Sequence, residues 1–520
     1  MRLAAAISRV GGLTLLSRLF GFIRDLLMAR YLGAGMASDA FFIAFKFPNF
    51  FRRLFAEGAF SVAFVPMFSR LLGKEITEES TARARDFAEQ VLAVFLPVLV
   101  IFLIIMEVAM TPLMLGLTGG FDGDQVKFNL AVELGRYTFP YLTLISLVTL
   151  WAGMLNAFGR FSAAAFAPVL LNIVMISAML MAPAGDVAVA RYLAIGVSVA
   201  GIVQLILLVA TAKRAGLSLR LRMPSFTPQV KALLKVIGPA ALGAGAMQLN
   251  LLVDIFLAAR FLPEGSVSWL FYADRLNQLP IGVIGVAVGT VLLPDIARRL
   301  GSGDDAGALR QQNQAMVFAM MVTIPAALAL ATIATPLIAS LFERAAFTIT
   351  DTRATAAVLT AYALGLPAYV LTKVLAPGFY ARGDTKTPVI YGLITLVVNT
   401  GLNIALIGPF GPVGLALGTA IAAWVNVILL YTGLMRRGHF SLLAGVRRKM
   451  VIFLLSASVM SYGLMTASAY LNPYFCVDNS ARVLALLTLI IGGALVYFLL
   501  VFLLKGIRPA DIGGFFRTKP

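Results

Sequence analysis

Long apolar runs recur along the whole chain and are separated by short polar stretches. About 20 predominantly apolar residues are what an α-helix needs to cross a membrane. The pattern therefore predicts an all-α polytopic membrane protein with 14 transmembrane helices. The predicted ranges are 7–32, 38–72, 87–112, 128–157, 160–183, 187–212, 231–262, 267–300, 311–343, 351–382, 385–408, 410–436, 447–471 and 480–505.

Composition strengthens this assignment and adds an orientation. The 520 residues are 60% hydrophobic and 13% charged, and the formal net charge is +18. Most loop lysines and arginines fall on the side of the N-terminus, which predicts that both termini are cytoplasmic. The positive charge favours anionic lipid headgroups over nucleic acid, because the sequence contains no soluble basic domain.

The near absence of cysteine and histidine argues against several kinds of chemistry. Cys476 is the only cysteine and His439 the only histidine. An internal disulfide, a cysteine metal cluster and a Ser-His-Asp triad are therefore not expected. The sequence also lacks a P-loop pattern. A transporter without its own ATPase domain fits better than an enzyme, and Na⁺ is the one cofactor considered.

An internal repeat divides the predicted helices into two lobes. The segment FSVAFVPMFSRL resembles GTVLLPDIARRL, and Pro66 of the first lies opposite Pro294 of the second. The repeat covers about six helices and preserves their direction, as in parallel repeats of transporters. We predict an N-lobe of helices 1–6 (1–222), a C-lobe of helices 7–12 (223–440) and two C-terminal helices, 13 and 14 (441–520).

The stretch from Ser17 to Pro66 carries far more charge than a lipid-facing helix tolerates. Guanidinium groups bind phosphate and carboxylate in a bidentate manner, so these charges favour a cationic pocket for an anionic ligand. An alternative is that they form interhelical ion pairs, such as Arg24 with Asp25 or Arg52 with Glu57. The candidate substrate-binding residues are Arg18, Arg24, Asp39, Lys46, Arg52 and Glu57, with Arg275 from helix 8.

A second group of polar residues lies in the predicted helices 7, 11 and 12. Oxygen ligands that converge within a membrane suit a small cation such as Na⁺, or a protonation switch. An interhelical hydrogen-bond network is the alternative. The residues of this candidate sodium site are Asp254, Asn399, Asn403 and Thr419.

Four motifs identify a family resemblance that covers essentially the whole chain. They are SRLFGFIRD, GAGMASDAFFIAFKFPNFFRRLFAEGAFSVAFVP, GSVSWLFYADRLNQLPIGVIGVAVGTVLLP and KVLAPGFYARGDTKTPV. The sequence resembles the MurJ (MviN) lipid II flippases of the multidrug/oligosaccharidyl-lipid/polysaccharide (MOP) exporter superfamily.

The resemblance implies a function in peptidoglycan biosynthesis and hence in cell shape. Members move the undecaprenyl-pyrophosphate-linked peptidoglycan precursor from the inner to the outer leaflet of the bacterial cytoplasmic membrane. It implies a central cationic cavity, a groove for the lipid tail near helices 13 and 14, alternating access and dependence on membrane potential. We expect a monomer. The cavity arginines would be Arg18, Arg24, Arg52 and Arg275, with Asp39 and Glu57 in the same motifs, and the sodium site would fall on the four residues given above.

Three other functions remain open from the residues alone. A flippase for another polyprenyl-linked oligosaccharide would use the same cationic pocket. A multidrug/cation antiporter would favour acidic or aromatic cavity walls, which the excess of arginine disfavours. An enzyme acting on a polyprenyl phosphate would need a catalytic acid cluster on a loop, whereas the loops here are short and basic.

Overall fold

The computed structural model describes the backbone of residues 2–73, 75–476 and 479–507. Every regular element in these ranges is helical, which confirms the predicted all-α fold. Within these ranges, the structure does not describe the side chains of residues 2–8, 55–57, 59, 122, 240, 242–247, 249, 251, 283–291, 476 and 479.

The α-helices follow one another with short connections. In chain order they are α1 (Arg2–Leu32), α2 (Met36–Phe51), α3 (Ser61–Leu72), α4 (Glu78–Val108), α5 (Met110–Thr118), α6 (Gln125–Thr138), α7 (Pro140–Ala157), α8 (Ser162–Met181), α9 (Asp186–Arg214), α10 (Pro228–Phe261), α11 (Ser266–Gly301), α12 (Asp305–Thr332), α13 (Ala334–Phe342), α14 (Ile349–Tyr380), α15 (Lys386–Arg436), α16 (Val446–Leu471) and α17 (Asn479–Leu503).

Many of these helices have the length and hydropathy of membrane spans. Among the described residues, 9 helical stretches are long and apolar enough to cross a membrane. One of them, α15, has 51 residues and changes direction at Gly411, where φ is 55° and ψ is −134°. Its two halves correspond to the predicted helices 385–408 and 410–436. The total of 14 spans stays a prediction.

The predicted second helix, 38–72, is built from three segments instead of one. A π-helix, Arg52–Phe60, separates α2 from α3. Pro48 lies just before it and has no N–H to donate to the carbonyl of Ala44 one turn earlier. The Thr138 hydroxyl of α6 donates to that carbonyl at 2.9 Å, so the hydrogen bond lost within the helix is replaced by one from its neighbour.

The chain divides into two compact units. Unit 1 comprises the described residues of Met1–Ser268 and Arg344–Phe347, and unit 2 comprises those of Trp269–Glu343 and Thr348–Pro520. Unit 1 therefore includes α10, which the sequence repeat assigns to the second lobe. Compact units need not coincide with repeats, so the predicted lobe boundary after residue 222 stays a prediction.

Unit 1 has an aromatic core around α3 and α4. The rings of Phe60 and Phe95 stack with centroids 4.5 Å apart, and those of Phe64 and Phe87 with centroids 5.7 Å apart. Phe68 and Leu150 are fully buried in the same cluster. Such close ring packing fixes the orientation of the π-helix and α3 relative to α4 and α7.

Unit 2 has its own core, formed by α11, α12, α14 and α15, with Val374 and Phe379 at its centre. Beside this core, α12, α14, α15 and α16 line an apolar pocket of about 500 Å³, with Met316, Trp424 and Leu454 among its walls. The predicted lipid-tail groove near helices 13 and 14 stays a prediction, although α16 is the first of those two helices.

The basic segment between α9 and α10 is irregular, as its prolines suggest, but it is held against α4. The guanidinium of Arg222 contacts Asp86 at 2.5 Å and Glu89 at 2.6 Å. The hydrogen bond that Arg222 donates to Asp86 is the main reason that the pKa of Arg222 is raised. The hydroxyl of Thr227 donates to Gln90 at 2.7 Å. The segment is thus part of the surface of unit 1 and not a loose tether.

Candidate functional site

Arg24 lies in a buried polar cluster between α1 and α8. Its side chain is 4% exposed, and Nη2 donates to Oδ1 of Asp25 at 2.7 Å. Nη1 donates to Oδ1 of Asn172 on α8 at 2.9 Å. The amide of Asn172 in turn donates to the carbonyl of Ser17 at 3.0 Å. The Arg24–Asp25 ion pair, which the sequence raised as an alternative, is confirmed.

This cluster explains how α1 holds Arg24 and Asp25 as buried charges. A buried charge is tolerated only when ion pairs and hydrogen bonds replace the water that it loses. Gly21 helps, because a Cβ at that position would lie 3.4 Å from the amide nitrogen of Asn172. Sequence reasoning missed Asn172, although an amide in the otherwise apolar segment SAAAFAPVLLNIVMISAMLM is a visible signal.

Arg18 and Arg52 have very different surroundings from Arg24. Arg18 is exposed on α1, and its neighbours Leu15 and Leu19 are also exposed. Arg52 is half-buried at the start of the π-helix, and its Nε donates to Oδ1 of Asn49 at 3.1 Å. π-helical turns occur frequently at functional sites, because they shift side chains out of α-helical register. The π-helix therefore sets the direction in which Arg52 leaves its helix.

Asp39 is buried at the start of α2, and its carboxylate accepts several hydrogen bonds. Lys127 of α6 forms an ion pair with Oδ2 at 2.9 Å, and the backbone N–H of Gly265 donates to the same atom at 2.8 Å. Oδ1 accepts from the N–H of Ser268 at 2.9 Å and from its hydroxyl at 2.7 Å. These N–H groups belong to the start of α11, where a helix lacks internal acceptors. Asp39 therefore links α2 and α6 to the residues at the start of α11 that belong to unit 1.

Lys127 is the second residue that sequence reasoning missed. The predicted helix 128–157 begins just after it, whereas it lies in the first turn of α6 and is 7% exposed. Its ammonium also lies 4.7 Å from the ring centroid of Phe121, which adds a cation–π contact. A substrate role for Asp39 stays a prediction, because this geometry by itself accounts for its burial.

The remaining members of the predicted set are only partly described. Lys46 is half-buried on α2. The side chain of Glu57 lies outside the described residues, so the predicted Arg52–Glu57 pair stays a prediction. Arg275 belongs to unit 2, where its guanidinium lies 5.6 Å from the ring centroid of Phe271. The other six residues belong to unit 1, and a shared pocket for all seven stays a prediction.

Three of the four predicted sodium ligands lie together in α15. Nδ2 of Asn399 donates to the hydroxyl of Thr419 at 3.2 Å, and Nδ2 of Asn403 donates to Oδ1 of Asn399 at 3.2 Å. A Cβ on Gly418 would lie only 2.1 Å from Oδ1 of Asn403, so glycine allows the two halves of α15 to meet at this amide. The alternative of a hydrogen-bond network is confirmed for these three residues.

Asp254 lies in unit 1, on α10. It is half-buried and accepts a hydrogen bond from Nδ2 of Asn250 at 3.2 Å. The amide and hydroxyl oxygens in α15 and the carboxylate of Asp254 are all hard ligands of the kind that suit a small cation. These oxygen atoms are chemically suited to coordinate Na⁺. A sodium site formed by all four residues stays a prediction.

Solved structures place the fold among known transporters. A structure described as an inward-facing multidrug resistance MATE family transporter of the MOP superfamily matches with a TM-score of 0.65, over 83% of this chain and 98% of that chain, at 18% identity. A structure of lipid II flippase MurJ in an inward closed conformation matches with a TM-score of 0.75, over 94% of this chain and 97% of that chain, at 28% identity. The protein is thus a multi-pass membrane protein with the fold of MOP superfamily transporters.

Sequence comparison narrows this class to one family. The model of the lipid II flippase MurJ family matches residues 28–486. The probable lipid II flippase MurJ of Rhizobium tropici is 43% identical over 522 residues, which cover 99% of this chain and 96% of the relative. The lipid II flippase MurJ of Burkholderia cenocepacia is 37% identical over 470 residues, covering 89% and 90%. The chain belongs to the lipid II flippase MurJ family.

Proposed function

We propose that this protein is a lipid II flippase. It is a transporter rather than an enzyme, and its substrate is the undecaprenyl-pyrophosphate-linked peptidoglycan precursor. The observation that carries the proposal is the match to the MurJ family along residues 28–486, together with relatives of that name that are similar over nearly the full chain. The fold alone does not distinguish a flippase from a multidrug transporter, because the MATE structure shares it.

The proposed direction is from the inner to the outer leaflet of the bacterial cytoplasmic membrane, by alternating access. Both termini lie in the cytoplasm, and the protein acts as a monomer. The orientation is supported by the lysines and arginines of the loops on the side of the N-terminus, including those of the irregular segment before α10. A substrate made in the cytoplasm would meet this positively charged side first.

Arginines supply the anion binding in this proposal. Guanidinium groups are permanently charged and match the geometry of phosphate oxygens. The exposed Arg18 and the half-buried Arg52 would contact the pyrophosphate, and Arg275 would add a third guanidinium. Arg24 would act mainly by shaping α1, because three of its donor contacts are already to Asp25 and Asn172.

Outer-leaflet exposure of lipid II tests the flippase function directly. In bacteria whose only flippase is this protein, we expect a lipid II label applied from outside to reach normal levels, and depletion of the protein to abolish the signal. Collapse of the membrane potential should lower it strongly if transport depends on that potential. Normal growth and normal labelling after depletion would contradict the proposal, and a matched strain with an unrelated flippase controls for indirect effects on precursor synthesis.

We also propose that Na⁺ binds the oxygen ligands named above. A ligand that binds only the folded protein stabilises it by about 2.7 kcal/mol at 100 times its dissociation constant. We therefore expect NaCl to raise the midpoint of thermal unfolding above that in choline chloride at equal ionic strength. Asn403→Ala and Asp254→Asn should each remove the difference. Equal midpoints in the two salts for the unsubstituted protein would refute Na⁺ binding.

A further inference from the structure

The irregular segment before α10 and the first turns of α4 line a polar pocket in unit 1. Its volume is about 550 Å³. Four of the residues that line it are arginines and two are acids, so the formal charge of the lining residues is +2. None of them belongs to the candidate substrate-binding residues or to the candidate sodium site. The charged lining residues are Arg83, Arg85, Asp86 and Glu89 of α4 with Arg220 and Arg222 of the segment.

Both acids of this pocket already have partners. The guanidinium of Arg222 forms ion pairs with Asp86 and Glu89, as described above. Oε1 of Glu89 also accepts from the backbone N–H of Arg220 at 3.0 Å. Glu89 is 2% exposed, so its carboxylate is held within the wall of the pocket. The positive charge that is left over therefore belongs to the other three arginines.

These three arginines retain hydrogen-bond donors for a ligand. Nη2 of Arg85 donates to the carbonyl of Gly216 at 2.9 Å, whereas its Nε is buried and has no acceptor among the described residues. The side chain of Arg220 is exposed, and its guanidinium pairs with no acid in the part of the chain that the structure describes. Arg83 lies 4.0 Å from Glu79, and both side chains are largely exposed, so this pair contributes little. A buried guanidinium N–H without an acceptor carries a desolvation cost that a bound anion would offset.

The charge and the donors of the pocket fit a phosphate monoester better than a carboxylate. Guanidinium groups bind the oxygens of either anion in a bidentate manner. A phosphate monoester carries a charge of about −1.5 to −2 at pH 7, which matches the formal charge of the lining residues. Its three terminal oxygens accept hydrogen bonds from several guanidiniums at once. A carboxylate has a single charge and only two oxygens.

We propose that this pocket binds a phosphate monoester between Arg83 and Arg85 of α4 and Arg220 of the irregular segment. The bound phosphate ties the segment to α4 beside the ion pairs that already hold it there. The ester is soluble or belongs to a lipid headgroup, since the same arginines bind the phosphate of either. Only two of the lining residues are apolar, so the phosphate supplies the affinity. With the orientation proposed above, the site faces the cytoplasm.

Titration of the purified full-length protein tests the site with two probes, glycerol 3-phosphate as a soluble ester and phosphatidic acid as a lipid with the same phosphate. We expect one molecule to bind per protein, and glycerate, which has a carboxylate in place of the phosphate, to bind at least about tenfold more weakly. Arg85→Gln and Arg220→Gln should each weaken binding about tenfold, because each removes a charge-assisted hydrogen bond. Arg214→Gln is the matched control, since Arg214 is an exposed arginine at the end of α9 that does not line the pocket, and it should bind normally.

Hydrogen exchange locates the bound phosphate. We expect the probe that binds to slow amide exchange in peptides covering 215–227, while peptides from α16 keep their rates. Binding of phosphatidic acid without glycerol 3-phosphate would assign the site to a lipid, and the reverse would assign it to a soluble ester. Failure of both probes to bind, equal affinity for glycerate, or unchanged binding by Arg85→Gln and Arg220→Gln would each overturn the proposal. None of these readouts requires transport, so such a failure leaves the flippase function untouched.

Discussion

Arg18→Ala and Arg24→Ala are both expected to abolish growth of a bacterium that depends on this protein, but for different physical reasons. Arg24 is buried, and its loss removes an ion-pair partner of the fully buried Asp25. Breaking a buried ion pair by removing one partner costs about 3–5 kcal/mol. Arg18 is exposed, and a surface substitution changes stability by only about 0.5 kcal/mol. Arg24→Ala should therefore lower the unfolding midpoint strongly, and Arg18→Ala should leave it unchanged.

Complementation of a flippase-depleted strain and thermal unfolding of the purified variants separate the two cases. Arg9→Ala is the matched control, because Arg9 is an exposed arginine of the same helix outside the predicted set. It should complement fully and unfold normally. Growth of the Arg18→Ala strain at the normal rate would remove Arg18 from the substrate-binding residues. A normal unfolding midpoint for Arg24→Ala would show that its buried cluster is not structural.

Asp39→Ala is expected to be the other severely destabilising substitution. Its carboxylate accepts four hydrogen bonds, one of them from the buried Lys127. Without Asp39, the Lys127 ammonium would be left buried without that partner, again at a cost of about 3–5 kcal/mol. Lys127→Ala should also destabilise the protein, and the double variant should lose less stability than the sum of the two single variants.

A double-mutant cycle on the unfolding midpoints measures this coupling. Positive coupling between Asp39 and Lys127, with parallel loss of complementation, identifies a structural role for both residues. If Asp39 instead contacts substrate, Asp39→Ala should lose complementation with normal stability while Lys127→Ala retains it. Glu133→Ala serves as a comparison, because its ion pair with Arg191 is about half exposed and should contribute much less.

The sequence was sufficient to predict the all-α membrane fold, because hydropathy and length determine which segments can span a membrane. It did not predict the π-helix within helix 2. It also did not predict that Thr138, far away in the chain, donates to the carbonyl of Ala44 that Pro48 leaves without its helical donor. Nor did it predict that α10 packs within unit 1, since the repeat pattern reports ancestry and not contacts.

In the candidate site, too, the sequence indicates the charged residues but not their partners on other helices. The unusual charge of helices 1 and 2 is visible in the sequence, and the Arg24–Asp25 pair follows from adjacency. The partners Asn172, Lys127 and Ser268 are not predictable in this way, because each lies on a different helix from the residue that it binds. A lone polar residue in an apolar helix indicates that a partner exists, but only the packing identifies it.

The π-helix between α2 and α3 has a consequence for how this gene tolerates insertions and deletions. One residue of an α-helix corresponds to a rotation of about 100°. The loss or gain of one codon within Arg52–Phe60 would turn the whole of α3 by that angle. Phe64 and Phe68 would then leave the aromatic core and face its surroundings. A change in the length of this stretch would therefore have to be balanced by a second one nearby.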